Sequence, residues 1–451
     1  MAKSKEVFIC QNCGVSSPKW QGQCAACGEW NSFLAELSSV NPRKPAGSPR
    51  AHRADVSSSL AALAIHEQPR LSTGSSELDR VLGGGLVVGS VTLIGGDPGI
   101  GKSTLMLQAA AALETTGPVL YATGEESLKQ VALRARRLGV QTAAARLIAE
   151  TCVEGIVGAA LGLRARALIV DSIQTMHSER IDAAPGAVSQ LRECTAELVR
   201  FAKASGTAVL LVGHVTKEGQ IAGPRVLEHM VDTVLYFESD TGSRFRVLRS
   251  VKNRFGAANE IGVFAMAEHG LREVTNPSAI FLSRHAEPVS GSVITVMREG
   301  TRSLLIEVQV LADLSLGGNP RRVAVGIDGN RLTMLLAVAH RHAGLLLGGQ
   351  DVFANVVGGV RLSETAGDLA IVLAARSSLQ DVPLPNTLIA FGELGLAGEI
   401  RPVPFGEERL REAAKHGFKL ALVPAANVPK RPPEGMTVRG VTRLNQALDV
   451  F

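Results

Sequence analysis

Long apolar runs, aromatic side chains and a strong excess of charge are absent or scarce in this chain of 451 residues. No apolar stretch approaches the roughly 20 residues that a helix needs to cross a bilayer, which excludes an integral membrane protein. The opening MAKSKEVFICQNCG lacks the apolar core of a secretory signal, so we expect a cytoplasmic protein. Aromatic residues make up 4% of the chain, so contacts with nucleic acid should depend on phosphate neutralisation more than on base stacking.

The chain does have the composition of folded domains. Apolar residues make up 45% and charged residues 20% of it, which argues against wholesale disorder. The length predicts two or three domains. The formal net charge of +5 is mild for such a length, so it permits a polyanionic partner without requiring one.

Four of the six cysteines form a C-x2-C-x10-C-x2-C array near the amino terminus, at Cys10, Cys13, Cys24 and Cys27. Two pairs of thiolates, each held by a tight turn, complete the tetrahedral sulfur shell that Zn²⁺ prefers. Two disulfides are the alternative, but cytosolic disulfides are rare, so zinc is favoured. So short a segment would need the metal for its folding energy. We expect Trp20, Trp30 and Phe33 to pack against the two turns rather than to stack on bases.

Residues 36–68 have the composition of a flexible linker. The stretch SSVNPRKPAGSPRAHRADVSSS contains three prolines, many serines and almost no bulky apolar side chain. Nothing in it drives packing, so a solvated tether is expected, although its basic residues could contact a polyanion.

The strongest chemical signal begins at Ser90. The apolar run SVTLIG precedes GDPGIGKS, and TLMLQAAAAL follows, which places a G-x4-G-K-S phosphate loop between a strand and a helix. Its glycines let backbone N–H groups converge on phosphate oxygens, and the helix N-terminus adds partial positive charge. Lys102 would reach the β- and γ-phosphates, and the Ser103 hydroxyl would ligate Mg²⁺. The predicted nucleotide-binding residues are Gly96, Asp97, Pro98, Gly99, Ile100, Gly101, Lys102, Ser103 and Thr104.

Further apolar strands follow the phosphate loop, in PVLYATGEES, ALIVDSIQT, AVLLVGHVTK and TVLYFE. Apolar strands that alternate with helical segments predict a mainly parallel sheet with helices on both faces. Ligands bind beyond the carboxyl ends of such strands. The side chains predicted to meet there are Lys102, Glu125, Asp171 and His214.

Three of these side chains have a predicted role in hydrolysis. Asp171 would hold Mg²⁺ through water. Either Glu125 or Glu126 would orient and deprotonate the attacking water, and Glu125 is favoured. His214 ends a core strand just before a glycine-containing loop, so it would hydrogen-bond the γ-phosphate and sense its loss.

Together with the four-cysteine finger and a KNRFG motif, these residues make the sequence resemble the RecA superfamily. Within that superfamily it resembles the bacterial RadA (Sms) family of DNA repair and recombination ATPases. The resemblance covers essentially the whole chain: the four-cysteine finger, the segment PRLSTGSSELDRVLGGGLVVGSVTLIGGDPGIGKST, the GEES acids, and the KNRFG motif of Lys252, Asn253, Arg254, Phe255 and Gly256. It implies a hexameric ring that hydrolyses ATP on single-stranded or branched DNA and drives branch migration or unwinding. It also implies ATP, Mg²⁺ and Zn²⁺ as cofactors and a recombinase or replicative helicase as partner.

The KNRFG motif fits such a machine chemically. FRVLRSVKNRFG alternates apolar and basic residues, which predicts a strand that delivers Lys252 and Arg254 to its end. A cation set against the γ-phosphate of a neighbouring subunit would stabilise the transition state only when the subunits are correctly apposed. The alternative is a basic strand end in solvent, which the resemblance makes the weaker interpretation.

Two loops are predicted to contact DNA by the same resemblance, roughly residues 172–185 and 216–229. The second contains Lys217 and Arg225, together with glycines that permit movement. Their charge is modest, so we expect salt-sensitive binding that is independent of sequence.

The carboxy-terminal third resembles the proteolytic domain of Lon without its catalytic pair. SGSVITVMREGTRSLLIEVQVLAD predicts two strands joined at Glu299-Gly300, and an amphipathic helix is expected over 330–347. Lon's serine falls on Ala366 and its lysine on Glu407, and a methyl group and a carboxylate cannot form a serine–lysine dyad. We expect an inactive scaffold that closes the ring. Four arginines of this domain either contact DNA or are ordinary surface charges: Arg321, Arg322, Arg341 and Arg361.

The predicted fold class is α/β, with a C4 zinc finger over 1–35, the linker over 36–68, a RecA-like core over 69–275 and a Lon-like α+β domain over 276–451. The predicted function is that of a DNA-dependent ATPase. An ATP-dependent peptidase is the first alternative, and Ala366 and Glu407 argue against it. A protein in which nucleotide only sets the oligomeric state is the second, and the catalytic side chains favour turnover instead.

Overall fold

The computed structural model describes residues 5–10, 15–38, 69–140, 145–214, 226–239, 245–279, 282, 287–315, 319–358 and 360–450. The chain divides into two compact units, the first made of Met1–Ser239 and Arg244–Glu273, the second of Asp240–Ser243 and Val274–Phe451. Within the described ranges, no helix combines the length and the apolar character that spanning a bilayer demands.

The first unit begins with a small antiparallel ribbon of three strands in the order β2-β1-β3. The strands are β1 (Lys5–Cys10), β2 (Ser16–Ser17) and β3 (Phe33–Ser38). Cys10, Cys24 and Phe33 are buried together and form the ribbon's core. The expected packing of the aromatic residues is therefore right for Phe33 and wrong for Trp20 and Trp30, whose side chains are 54% and 67% exposed.

A nine-stranded sheet forms the centre of the first unit, in the order β14-β13-β12-β11-β6-β10-β9-β7-β8. Its strands are β6 (Val91–Gly95), β7 (Val119–Thr123), β8 (Arg146–Ala149), β9 (Ala167–Asp171), β10 (Ala208–Val212), β11 (Thr233–Glu238), β12 (Phe245–Asn253), β13 (Ile261–Ala267) and β14 (Gly270–Glu273). A separate short pair is formed by β4 (Arg70–Leu71) and β5 (Leu86–Val87). The helices are α1 (Ser76–Leu82), α2 (Lys102–Leu113), α3 (Leu128–Arg137), α4 (Val153–Leu163) and α5 (Val188–Ser205).

Six neighbouring strands, from β8 to β11 in the sheet order, run parallel, and β12 to β14 continue the sheet as an antiparallel meander. Strands β6, β7, β9 and β10 are buried at every position. Successive side chains of a strand point to opposite faces, and helices cover both. One core packs against α1 and α2, the other against α4 and α5. The predicted mainly parallel sheet with helices on both faces is confirmed.

The second unit is an α+β domain around a seven-stranded mixed sheet in the order β17-β18-β16-β15-β19-β22-β23. Its strands are β15 (Ser292–Glu299), β16 (Arg302–Leu314), β17 (Arg322–Val325), β18 (Gln350–Val356), β19 (Leu388–Ala390), β20 (Glu393–Leu394), β21 (Ile400–Arg401), β22 (Leu420–Pro424) and β23 (Thr437–Val441). Strands β20 and β21 pair separately. The helices are α6 (Gly329–Ala343), α7 (Asp368–Gln380), α8 (Gly406–Lys415) and α9 (Leu444–Leu448).

Two local predictions for this unit are confirmed. Strands β15 and β16 form the expected antiparallel hairpin, closed by the pair Glu299 and Arg302. The expected amphipathic helix is α6. It ends earlier than the predicted residue 347 because Gly344 adopts a left-handed conformation with φ of 66°, which terminates the helix.

Candidate active site

The phosphate loop occupies the turn between β6 and α2, as the motif predicts. Gly96 and Gly101 have φ values of 151° and 119°, in the region that side chains disfavour. A Cβ on Gly96 would also lie 2.9 Å from the Cβ of Phe237. The two glycines therefore let the loop fold tightly and turn its backbone N–H groups inward at the start of the helix, where an anion is stabilised.

Lys102, the first residue of α2, points back into this loop. Its Nζ donates hydrogen bonds to the carbonyl oxygens of Gly96 at 2.7 Å and Asp97 at 2.9 Å, and lies 3.1 Å from Nδ1 of His214. Burial lowers the pKa of Lys102 to about 8, and nearby carboxylates, Asp171 first, oppose the shift. The ammonium group is thus still mainly charged at neutral pH.

His214 contacts Lys102, and Glu125 contacts His214 in turn. An ammonium group can only donate, so Nδ1 of His214 accepts from Lys102 and the ring proton lies on Nε2. Nε2 lies 3.1 Å from Oε1 of Glu125, and this oxygen accepts a hydrogen bond from the Ser172 hydroxyl. The hydrogen bond from His214, and then that from Ser172, lower the pKa of Glu125 to about 2. Its carboxylate is therefore ionised at every physiological pH.

Glu126 faces away from this cluster although it follows Glu125 directly. Its carboxylate pairs with the guanidinium of Arg134 on α3. Its backbone is held by the hydroxyl of Thr123, which accepts from the Glu126 N–H at 3.1 Å. The turn after β7 thus sends the two adjacent acids to different surroundings, and only Glu125 contacts the neighbours of Lys102.

Asp171 lies at the end of β9, as expected, and is buried. Its Oδ2 accepts a hydrogen bond of 2.5 Å from the hydroxyl of Tyr121, and burial together with the Asp171 charge raises the pKa of that hydroxyl. Carboxylate and hydroxyl oxygens are the ligands that Mg²⁺ prefers. The donor set of Asp171 and Ser103, which lies in the first turn of α2, therefore fits a nucleotide-bound Mg²⁺.

Three residues that contribute to this edge of the sheet were not predicted from the sequence: Tyr121, Ser172 and Gln174. The side-chain amide of Gln174 donates to the backbone oxygen of His214 at 3.1 Å, which ties the loop after β9 to the end of β10. Tyr121 carried a usable signal, because a tyrosine within a buried aliphatic strand needs a partner for its hydroxyl. Ser172 and Gln174 carried none, because their partners lie about 40 residues away or more along the chain.

Lys252 and Arg254 lie at the opposite edge of the sheet. Strand β12 is antiparallel to β11, and its register places Asn253 beside Thr233, which in turn lies beside Thr92 near the start of β6. Since β6 has five residues, its two ends are separated by roughly 13 Å at about 3.3 Å per residue. The two cations are therefore remote from the phosphate loop of their own chain.

Both cations have partners within the first unit. Lys252 Nζ donates to the carbonyl oxygens of Glu228 at 2.7 Å and Val231 at 2.9 Å. Burial, and then the charge of Arg254, lower the pKa of Lys252. Arg254 forms an ion pair of 3.1 Å with Asp232, whose other oxygen accepts from the backbone N–H at the start of β6.

The other residues of the KNRFG motif pack against the segment around α1. The side chain of Asn253 accepts from the N–H of Phe255 at 2.9 Å, and the Phe255 carbonyl accepts from Arg70 at 2.6 Å. A Cβ on Gly256 would lie 2.9 Å from the Cα of Gly83, so only glycine allows this approach. The motif is thus a packed turn that holds the end of β12.

The residues predicted to contact DNA are placed as follows. Lys217 and Arg225 lie outside the described residues. In the loop over 172–185, the guanidinium of Arg180 lies 2.5 Å from the carboxylate of Glu197. In the second unit, Arg321 pairs with Asp351 at 2.8 Å, and Arg322 donates to backbone carbonyls that include that of Leu347 at 2.8 Å. Arg341 and Arg361 are exposed.

The cysteine array has the geometry of a metal site as far as the structure describes it. The sulfur atoms of Cys10, Cys24 and Cys27 all lie within 4.8 Å of one another, and Cys13 lies outside the described residues. The sulfurs of Cys10 and Cys27 are 3.7 Å apart. Two ligands of a tetrahedral zinc with Zn–S bonds of about 2.3 Å are separated by about 3.8 Å, whereas a disulfide requires about 2.05 Å. The three thiols therefore fit a zinc ion and not a disulfide between these two.

The region that resembles the Lon active site contains no dyad. Ala366 is buried in an apolar cluster with Phe391 and Leu410. Glu407 is exposed on α8 and pairs with Arg411 one turn further on. The Ala366 methyl group offers no nucleophile, and the Glu407 carboxylate does not replace the lysine amine of a serine–lysine dyad.

Comparison with known proteins places these features in a wider context. Family models match in three places: a rubredoxin metal binding domain over residues 8–34, an AAA domain over 66–220, and subunit ChlI of Mg-chelatase over 349–427. The chain is 57% identical to the DNA repair protein RadA of Pseudomonas aeruginosa, with all of both chains covered. It is 55% identical to the protein of that name from Escherichia coli, covering 100% of this chain and 99% of that one. It is 51% identical to the DNA repair protein RadA of Bacillus subtilis, with 99% of each chain covered.

Proposed function

The chain belongs to the family of DNA repair proteins RadA, and from that membership we propose that it is an ATP-driven motor acting on DNA in repair and homologous recombination. The observation that carries the proposal is the contact of Lys102 with His214 and of His214 with Glu125 at the edge where the phosphate loop lies. A protein that only stores nucleotide has no need of an ionised carboxylate in this position.

Hydrolysis of ATP follows from the roles of these side chains. The backbone of the phosphate loop and the Lys102 ammonium bind the phosphates and neutralise charge that develops on them. Mg²⁺, when bound, polarises the phosphate oxygens, and Ser103 and Asp171 are the residues that would hold it. Glu125 accepts a hydrogen bond from the attacking water and orients it. Because its pKa is about 2, it is a weak base, so orientation is its main contribution.

His214 is proposed to sense the γ-phosphate. Its ring contacts both Lys102 and Glu125, and its backbone oxygen is held by Gln174, so a change at the phosphate reaches the ends of two strands. The loops that leave the sheet at these two ends are the proposed DNA contacts. Cleavage of ATP would thereby alter the affinity of these loops for single-stranded DNA.

A ring of subunits is supported by the position of the KNRFG motif. Lys252 and Arg254 lie at the edge opposite the phosphate loop of their own chain, which supports a role at the nucleotide of a neighbour over one at their own. In a closed ring of the hexameric kind implied by the resemblance, each subunit would present one edge to the next subunit's phosphates. Hydrolysis would then depend on correct apposition of the subunits, which is what a branch-migration motor requires.

The remaining parts of the proposal concern partners and the second unit. We propose single-stranded and branched DNA as the substrate, Zn²⁺ in the cysteine ribbon, and a recombinase or replicative helicase as the protein partner. The second unit would act as a scaffold for the ring. A peptidase is disfavoured because Ala366 is buried among apolar side chains and Glu407 is exposed and paired.

The experiment that tests the proposal is the rate of ATP hydrolysis by the purified protein with and without single-stranded DNA, with the mass of the assembly measured in parallel. We expect DNA to accelerate hydrolysis and the mass to be that of an oligomer. Lys102→Ala should abolish turnover, because it removes the cation that binds the phosphates. A monomer that is indifferent to DNA, or a Lys102→Ala variant with normal turnover, would contradict the proposal.

A further inference from the structure

Asp232 lies just before β11 and is 6% exposed. Its backbone and its side chain both bond Val91, the residue that begins β6. The Asp232 N–H donates to the Val91 carbonyl at 3.0 Å, and Oδ2 of Asp232 accepts from the Val91 N–H at 3.1 Å. Asp232 is thus fixed to the strand at the centre of the large sheet.

The same aspartate also bonds Arg254 twice. Its carbonyl oxygen accepts from the Arg254 N–H at 3.2 Å, and its Oδ1 accepts from Nη1 of the Arg254 guanidinium at 3.1 Å. The aspartate side chain is 9% exposed and the arginine side chain 53%, so the pair has one buried and one open member. A guanidinium group carries five N–H donors, so a bond to Asp232 leaves others for a ligand outside the subunit.

The backbone bonds do not explain why this residue carries a charge. The amide oxygen of an asparagine would accept from the Val91 N–H equally well. A buried carboxylate is costly unless a cation is paired with it, and the cation here is Arg254. The negative charge of Asp232 therefore serves the arginine and not the strand.

The turn that ends at Asp232 holds both cations of the KNRFG motif. Lys252 donates to the carbonyls of Glu228 and Val231, and Arg254 pairs with Asp232 itself. This turn lies at the start of β6, whereas the phosphate loop follows the end of that strand. An effect of Asp232 on the phosphate loop of its own chain would have to cross the whole strand.

We propose that Asp232 is a positioning residue that orients Arg254 toward the nucleotide of a neighbouring copy of the chain. The inference rests on the proposed function, because it supposes that Arg254 acts across a subunit boundary. A free arginine side chain samples many orientations, whereas one anchored to a buried carboxylate presents its remaining nitrogens in few. In this role Asp232 acts through Arg254 and does not itself contact the nucleotide.

Replacing Asp232 by asparagine separates the two functions of the side chain. The amide oxygen of the Asp232→Asn variant still accepts from the Val91 N–H, so we expect the protein to fold, but the pair with Arg254 is lost. A misplaced catalytic group costs about 100-fold in rate. The kcat for ATP hydrolysis on single-stranded DNA should therefore fall by about 100-fold, while KM for ATP stays that of the wild type.

Glu399→Gln is the matched control. The Glu399 carboxylate likewise accepts from one backbone N–H, that of Ala397 at 3.1 Å, and from one arginine, Arg401 at 3.0 Å. The same change of carboxylate to amide, made in the second unit, should leave hydrolysis unchanged. Thermal unfolding and the mass of the assembly check that each variant is folded and assembled.

Further variants distinguish positioning from a structural role. If Asp232 acts through Arg254, Asp232→Asn should cause no further loss in an Arg254→Ala background. Asp232→Asn subunits keep their phosphate loop and Lys102→Ala subunits keep their KNRFG motif, so mixed assemblies of the two should recover activity. Arg254→Lys leaves Asp232 and β6 untouched, and it provides the test if Asp232→Asn does not fold. It should lose most of kcat, because an ammonium group cannot bind the carboxylate and a phosphate through separate nitrogens.

The outcomes distinguish this inference from the proposed function. Normal kcat in Asp232→Asn or in Arg254→Lys, beside a loss in Arg254→Ala, would overturn the positioning role and leave the motor proposal intact. A loss in Asp232→Asn that adds to that of Arg254→Ala, and that mixing with Lys102→Ala does not relieve, would place the effect within one subunit, and the inference is again wrong. If Arg254→Ala itself hydrolyses ATP and works on DNA as the wild type does, the proposed role of the KNRFG motif fails.

Discussion

Replacing Glu125 by glutamine is the sharpest test of the candidate active site. The substitution keeps the size of the side chain and an oxygen near Ser172 and His214, but it removes the negative charge that is proposed to orient the attacking water. Losing a positioned group of this kind costs about 10²- to 10⁴-fold in rate, or about 3–5 kcal/mol in the barrier. We expect kcat for ATP hydrolysis to fall by such a factor, while nucleotide binding persists because the phosphate loop and Lys102 are intact.

Glu126→Gln is the matched control, since it makes the same chemical change one residue further on. Glu126 pairs with Arg134, and both side chains are partly exposed, so this ion pair contributes about 0–1 kcal/mol to stability. The variant should fold and hydrolyse ATP nearly as the wild type does. Steady-state hydrolysis and fluorescent-nucleotide binding on both variants decide the matter. Equal losses in the two, or a larger loss in Glu126→Gln, would refute the assignment of the water to Glu125.

The pH dependence of the wild type adds a second check on Glu125. Its pKa is lowered to about 2, chiefly by the hydrogen bond from His214, so the carboxylate is ionised above that value and is neutralised only as the pH falls through it. Between pH 8 and pH 5 the group does not titrate and should produce no acid limb in kcat. An apparent pKa in that window that disappears in the glutamine variant would contradict the geometry.

Three further predictions concern other parts of the chain. If Lys252 serves a neighbouring subunit as proposed, Lys252→Ala should spare folding and ATP binding but impair branch migration; normal branch migration by the variant would exclude that role. Tyr121→Phe keeps the ring but frees Asp171, so the Mg²⁺ dependence of nucleotide binding should shift to concentrations about 10- to 100-fold higher, and an unchanged Mg²⁺ titration would show that the hydroxyl has no positioning role. Replacing Cys10 and Cys13 by serine should release one zinc per chain in metal analysis, and a wild type without zinc would remove the site altogether.

In the proposed ring, the KNRFG motif would couple neighbouring subunits. Lys252 donates hydrogen bonds to the carbonyls of Glu228 and Val231, so the motif is connected to the turn just before β11. A neighbour's phosphate that attracted Lys252 would compete with these carbonyls. The nucleotide of one subunit and the turn before β11 of the next would then be coupled through a single ammonium group.

Much of the fold and part of the site could be predicted from local patterns. The phosphate loop depends on glycines, a lysine and a serine within eight residues, and the backbone around them is dictated by what glycine alone permits at Gly96 and Gly101. The apolar strands and the antiparallel hairpin from Ser292 to Leu314 follow from hydrophobic runs and a turn, and both are confirmed. The cysteine spacing likewise predicts its metal chemistry, because thiolates two residues apart are confined to one turn.

Only the tertiary structure decided which residues far apart in the chain lie in contact with one another. Glu125 and Glu126 have nearly the same sequence neighbours, and only the packing of β10 beside β9 brings His214 to the first and not the second. The antiparallel register of β12 moves Lys252 to the far edge of the sheet, and no alternation of apolar and basic residues contains that information. The exposure of Trp20 and Trp30 is of the same kind, since a core of two thiols and one phenylalanine leaves no room for them. Local patterns determine backbone conformation over a few residues, whereas the surroundings of a side chain depend on which distant segments pack against it.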